Sequence, residues 1–260
     1  MATETVLITG ASFGIGKELA RCFAADKSDL ILVARSMPEL EELARELRTG
    51  HDIKVWVYRL DLAEPNAARK LFDWCEQEGI TVDVLVNNAG FGLMLPMWQM
   101  PEQPAMDMVQ VNVAALTQLT QLFLPGIRER EKGGILNVAS TAAYQAGPNM
   151  GIYYATKAYV LHFTEAIAEE LRSHDVNVSC LCPGPTVTEF AKRAEMEKSA
   201  IFRMGPMDAQ SVARIGHAGF RKGRTIVIPG WKNFMGAFAV RFAPRFLLRR
   251  IIRSLNVNKE

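Results

Sequence analysis

Thr9-Gly10-Ala11-Ser12-Phe13-Gly14-Ile15-Gly16 follows an apolar run that begins at Val6 and opens a stretch carrying Leu19, Ala20 and Phe23 at helical spacing. Glycines at these positions permit a tight turn and a close approach of backbone to ligand. The helix that starts there offers unpaired N–H groups and the positive end of its dipole to a pyrophosphate. A glycine-rich triplet by itself is also the mark of a plain strand-to-helix turn. Its place in the first βα unit, at the C-terminal edge of a sheet, favours nucleotide binding.

Working outward, short runs rich in Val, Ile and Leu occur at 5–9, 30–34, 54–58, 82–86, 134–139, 177–182 and 225–228. Longer stretches of helical period separate them, such as 37–47, with Leu40, Leu43, Ala44 and Leu47 on one face, and 152–171. This alternation predicts an α/β fold of one domain, a doubly wound parallel sheet of seven strands with helices on both faces. We assign 1–230 to that domain and 231–260 to a basic amphipathic tail. The stretch 184–207, with two prolines, mixed charge and no clear strand, reads as a lid or binding loop at about 185–207.

Bulk properties remove other classes. With 49% hydrophobic and 22% charged residues in 260, the chain supports a sizeable core and is too apolar for disorder. A net charge of +2 gives no sign of a nucleic-acid partner. Cys22, Cys75, Cys180 and Cys182 form no CxxC pair and read as small core residues; His162 and His174 match no ligand spacing, so no metal is expected. The first residues show no signal peptide, and no apolar run reaches the ~18 residues of a membrane span. The expected compartment is the reducing cytoplasm.

With these residues in view, the chain resembles the short-chain dehydrogenase/reductase superfamily over roughly residues 6–228. TGASFGIG matches its TGxxxGxG fingerprint, in which Gly10, Ser12, Phe13, Gly14, Ile15 and Gly16 would cradle the phosphates. The resemblance implies that Asp61 and Leu62 hold the adenine ring, and that Asn88, Ala89 and Gly90 of the Asn87-Asn88-Ala89-Gly90 turn line the cofactor. It implies that Pro183, Gly184 and Thr188 meet the nicotinamide carboxamide. Asn112, Ser140, Tyr153 and Lys157 match its catalytic tetrad, with Tyr153 and Lys157 also touching the cofactor and Asn112 joined to Lys157 through a water in a proton relay.

The second strand ends in Ala34-Arg35-Ser36 where NAD users place an acid on the ribose hydroxyl. Arg35 would fork onto a 2′-phosphate, a charge-assisted bond of ~1.5–3 kcal/mol, so NADP(H) is the expected cofactor. Phe13 stands where some NADP users carry a second basic residue.

Tyr153 and Lys157 lie four apart on an expected helix and share its face. A phenol with an ordinary pKa of ~10 exchanges protons well at neutral pH only with help, and a neighbouring ammonium supplies it. Tyr154 falls ~100° away on the same helix. The expected activity is hydride transfer between NADP(H) and a carbonyl or alcohol. A non-catalytic dinucleotide sensor, or an isomerase or lyase using the same tetrad, are the alternatives. Phe91, Leu93, Met94, Leu95, Met97 and Trp98 after the turn at Gly90, and Phe190, Met196, Ile201, Phe202 and Met204 in the expected lid, point to an apolar small-molecule substrate.

The tail carries the most uneven charge. Pro244 suits the first turn of a helix on which Arg245, Arg249, Arg253 and Arg250 fall within ~140°, with Leu247, Ile251, Leu255, Leu248 and Ile252 opposite. Two readings stand: a helix lying in an anionic membrane surface, or a face buried on the chain's own core or on a sister subunit, since relatives of the resembled family form dimers and tetramers. A chain ending before Trp231 is expected to stay folded.

Overall fold

Residues of the central strands are apolar on both sides, and both sides are covered. The computed structural model describes residues 3–189 and 205–256. It contains β1 (Thr5–Thr9), β2 (Asp29–Ala34), β3 (Val55–Arg59), β4 (Val84–Asn87), β5 (Gly134–Val138), β6 (Asn177–Leu181), β7 (Thr186–Val187), β8 (Met207–Asp208) and β9 (Ile226–Val227). Seven of these form one parallel sheet in the order β3-β2-β1-β4-β5-β6-β9. Each of the seven expected runs overlaps one of its strands.

Strand alternation divides the core in two. Val6 and Ile8 of β1, Leu30 and Leu32 of β2, and Val84 and Val86 of β4 point to one side, where helices α1 (Gly14–Ala25) and α2 (Met37–His51) supply Leu19, Phe23, Leu40 and Leu43. Leu7, Ile31, Val33 and Leu85 point to the other. There α3 (Ala67–Gln77) brings Leu71, and further helices complete the layer. Strand order reverses between β1 and β4, which opens a crevice at their C-terminal ends.

Beyond β4, α4 (Glu102–Val109) passes through a π-helical turn at Gln110–Ala115 into α5 (Leu116–Glu129). The long α6 (Gly151–Glu170) follows β5, and α7 (Ala209–Arg221) starts where the Asp208 carboxylate accepts from the Ser211 N–H at 2.7 Å. The stretch read as an irregular loop differs from expectation: β7 and β8 pair in parallel near its two ends, helped by the Met207 N–H donating to the Pro185 carbonyl at 2.9 Å. Phe190, Met196, Ile201, Phe202 and Met204 lie outside the described residues. The tail holds α8 (Trp231–Ala239) and α9 (Arg245–Leu255), and α9 begins right after Pro244.

Candidate active site

The glycine turn is held by its neighbour strand. Thr9 Oγ1 donates to the Val86 carbonyl at 3.2 Å and accepts from the N–H groups of Asn88 and Ala89, both at 3.1 Å. Asn88 Nδ2 donates back to the Thr9 and Gly10 carbonyls at 2.9 and 3.1 Å. This packing leaves no room for a side chain at Gly16, where a Cβ would stand 2.3 Å from the Gly10 oxygen. Gly14 has φ of +55°, a left-handed conformation, and lies against Thr188. Extended Phe13 precedes α1 without a side-chain cap, a helix start whose first-turn N–H groups suit an anion.

Arg35 leaves the end of β2 with its side chain 62% exposed, 3.6 Å from the Asp61 carboxylate. Asp61 also accepts from the Ala63 N–H at 3.0 Å, which fixes the turn after β3. An ion pair this exposed contributes little. The guanidinium is therefore free to exchange Asp61 for a stronger anion.

Ser140 leaves β5, its Oγ accepting from the Ala142 N–H at 3.1 Å and lying 3.4 Å from the Pro183 carbonyl. It shares a side-chain hydrogen bond with Tyr153, whose phenol burial pushes up to about 12 while that bond pulls it partly back. Lys157 is buried on the same face of α6; its Nζ donates to the Val138 carbonyl at 2.8 Å, and burial draws it down to about 8. The ammonium lies 5.8 Å from the centre of the Tyr153 ring. Burial, which favours the neutral form of each group, thus outweighs the lysine's expected pull on the phenol.

Asn112 sits on the π-helical turn and is fully engaged. Its Oδ1 accepts from the Phe91 N–H at 3.0 Å; its Nδ2 donates to the Phe91 carbonyl at 2.9 Å and to Thr156 Oγ1 at 3.1 Å. A Cβ on Gly90 would lie 3.0 Å from Asn112 Oδ1 and 3.3 Å from Lys157 Nζ, so the amide and the ammonium meet at Gly90. The turn after β4 is thereby tied to α6.

One cleft of ≈ 480 Å³ joins these parts; the residues matched to the cofactor and the tetrad all line it except Gly16 and Asn112, and of the apolar residues expected after Gly90 it is lined by Phe91 and Leu93 but not by Met94, Leu95, Met97 or Trp98. The family profile described as short chain dehydrogenase matches residues 4–199. The chain belongs to the short-chain dehydrogenase family. A very-long-chain 3-oxoacyl-CoA reductase of Pyrenophora tritici-repentis is 31% identical over 266 residues, covering 97% of this chain and 74% of that one. An NADP-dependent 3-hydroxy acid dehydrogenase of Schizosaccharomyces pombe is 33% identical over 190 residues, 72% of this chain and 73% of that one. A short-chain dehydrogenase from Sphingobium yanoikuyae, solved in complex with NADPH, superposes with a TM-score of 0.83 at 29% identity, covering 94% and 95% of the two chains. Other very-long-chain 3-oxoacyl-CoA reductases are spanned over only 56 to 61% of their length.

As a short-chain dehydrogenase the chain is an oxidoreductase with a Rossmann-type sheet, and its structure adds residues that motif spacing does not reveal. Thr9 and Thr156 are the hydroxyls that lock the two loops and the tetrad helix. Asn87 Nδ2 donates to Asn137 Oδ1 at 2.9 Å and Asn137 Nδ2 to Thr164 Oγ1 at 3.0 Å, a buried polar link from β4 through β5 to α6. Tyr154 is buried, and its hydroxyl lies 3.3 Å from Asn256, at the end of α9. Asparagines paired near the C-terminal ends of the neighbouring strands β4 and β5 are a usable sequence signal for the first of these links. Nothing local marks the second.

Proposed function

We propose that this short-chain dehydrogenase uses NADPH to reduce the carbonyl of a long, apolar substrate of the 3-oxoacyl thioester class, or runs the reverse oxidation. The carrying observation is the Ser140–Tyr153 hydrogen bond in the same cleft as the glycine turn and Arg35. The cradle suits this cofactor. An uncapped helix start and a turn where a Cβ would collide fit a pyrophosphate, and a guanidinium with only a weak partner at the end of β2 fits a 2′-phosphate. Gly10 to Gly16 would hold the phosphates, Asp61 and Leu62 the adenine end, Asn88 to Gly90 the middle, and Pro183, Gly184 and Thr188 the nicotinamide end. When bound, NADPH supplies the hydride that reaches the carbonyl carbon.

The chain's own residues handle the oxygen. Ser140 Oγ orients the substrate carbonyl, and Tyr153 Oη gives it a proton as negative charge develops, so C=O becomes CH–OH. A phenol held near 12 is protonated at neutral pH and ready to donate. Lys157, its Nζ fixed by the Val138 carbonyl, places a positive charge beneath the tyrosine, and Asn112 positions the Phe91 turn and α6 around it. Phe91 and Leu93 give the substrate end apolar walls. Four cysteines without a disulfide, three of them buried, suit residence in the reducing cytoplasm.

Loss of NADPH absorbance with 3-oxoacyl thioesters of increasing chain length, a steroid ketone and small sugars tests this reading. Rates should rise with apolar length. Activity confined to sugars would remove the apolar substrate, and NADPH binding without turnover on any carbonyl would leave a dinucleotide sensor.

A further inference from the structure

The tail helices use only part of their apolar surface to hold themselves on the domain. On α8, Trp231, Phe234, Met235 and Phe238 fall within ~100° of one another. The opposite side carries buried Ala237 and half-buried Asn233, whose amide lies where a Cβ on Gly184 would stand. On α9 the apolar arc splits. Ile252 is buried with Met150, Tyr153 and Tyr154, with Leu255 packed beside it, and Asn256 then donates to the Pro148 carbonyl at 3.1 Å and accepts from Asn149. Leu247 and Ile251, from the same arc, stay in the open.

The outward side chains of the two helices are mostly apolar. They run from Leu247 at 43% to Phe242 at 75% exposed and include Trp231, Phe234 and Phe238, with Phe242 edge-on to Phe238 at 5.2 Å; Phe246 alone sits among the arginines of α9. Core packing does not account for these exposed side chains, and so many large apolar groups left open on two consecutive helices mark an interaction surface. Its charge is one-sided. Lys232, Arg241, Arg245, Arg249, Arg250 and Arg253 accompany it, and no Asp or Glu occurs anywhere between Asp208 and Glu260.

We propose that α8 and α9 dock this protein on an anionic lipid bilayer, with the aromatic side chains in the interface and the arginines among the headgroups. A second copy of the chain is the poorer occupant. A two-fold interface sets a patch against itself, so six cations would face six cations with no carboxylate to answer them. A bilayer carrying acidic headgroups satisfies both the apolar and the cationic parts. The location matters for chemistry: α8 rests on Gly184, α9 ends on Tyr154, and Gly184, Tyr154 and Tyr153 all line the cleft. A docked molecule would therefore present the mouth of its site to the lipid, where a long acyl substrate resides. That delivery step rests on the reductase reading above; the docking does not.

Flotation of the full chain with vesicles of phosphatidylcholine and phosphatidylglycerol, against vesicles of phosphatidylcholine alone, reads the docking directly. Binding is expected to the acidic vesicles only and to fall with salt. Arg249→Gln with Arg250→Gln should weaken it about 30-fold, and Phe234→Ser with Phe242→Ser at least about tenfold. All four substitutions lie on the exposed side, and NADPH oxidation with a short, water-soluble ketone should remain unchanged. Turnover of a vesicle-borne long-chain substrate should drop in the serine variant. Failure to float with acidic vesicles at low salt, with ketone turnover intact, overturns the docking alone; flotation without turnover of any carbonyl overturns the reductase reading alone. A dimer that the serine variant splits into monomers, with no lipid binding by the intact chain, would make this face a subunit interface and overturn the proposal.

Discussion

Lys157 Nζ donates to the Val138 carbonyl at 2.8 Å, so the last carbonyl of β5 aims the ammonium that lies beneath Tyr153. The sheet's own edge therefore positions the lysine, and the position is costly. Burial lowers Lys157 from 10.5 to about 8, which means that the folded state resists its protonation. A group with a depressed folded pKa contributes stability above its unfolded pKa and loses it as pH falls through the folded one. The wild type should accordingly gain stability relative to Lys157→Met as pH rises from 7 to 10, by up to about 3 kcal/mol. Denaturant unfolding of both proteins across that range checks it, and a constant difference would mean that the fold does not depress the lysine's pKa.

Tyr153 runs the opposite way. Its phenol is pushed up to about 12 by burial and drawn back by Ser140, so carbonyl reduction, which needs the proton, should persist well past neutral pH. Alcohol oxidation needs the phenolate and should climb with pH. Tyr153→Phe is expected to lose at least about a thousandfold in kcat with little change in NADPH affinity. In Ser140→Ala the alkaline rise of the oxidation should move to still higher pH, because the bond that lowers the phenol is gone. Rates of the wild type and both variants against pH, in each direction, decide it.

Among the described residues, the Arg35 side chain has only Asp61 as an ionic partner, at 3.6 Å and largely in solvent. Arg35→Ala should weaken NADPH by roughly ten- to a hundredfold while leaving NADH nearly unchanged. Titration of each dinucleotide by fluorescence measures the two losses. Equal losses would make Arg35 a structural residue at the end of β2.

These three sites were readable because their chemistry is tied to local spacing. Four residues on a helix put Tyr153 and Lys157 on one face, a strand exit exposes Ser140, and the end of β2 fixes where Arg35 points. Asn112 was readable by motif, but its setting was not. The residues from Gln110 to Ala115 are ordinary helix formers, and nothing in them announces a π-helical turn that swings an amide onto Phe91. The tail shows the same limit. In sequence its apolar arc is continuous, so a single face on core, sister subunit or membrane is all that periodicity offers. Which half is covered depends on Tyr154, 102 positions earlier in the chain. The same contact argues against a tail that can be removed cleanly before Trp231, since doing so would uncover Met150 and Tyr154.

Asn256 is the residue that fixes this arrangement. It is 1% exposed, lies 3.3 Å from the Tyr154 hydroxyl, donates to the Pro148 carbonyl at 3.1 Å and accepts on its own carbonyl from Asn149 at 2.8 Å. Asn256→Ala leaves the backbone acceptor in place but strands the tyrosine hydroxyl and the proline oxygen in a buried setting, at a cost of about 1–3 kcal/mol. Tyr154→Phe should cost less, because it removes only one partner of the pair. If the side chains act through each other, the double variant should be more stable than the sum of the single losses predicts, by at least about 0.5 kcal/mol. Denaturant midpoints of the four proteins supply the cycle. Because α9 closes on the cleft at this point, Asn256→Ala should also raise KM for a long-chain substrate while the affinity for NADPH stays within about twofold, as expected for a change remote from Arg35 and the glycine turn. Strict additivity together with an unchanged KM would show that α9 ends beside the site without shaping it.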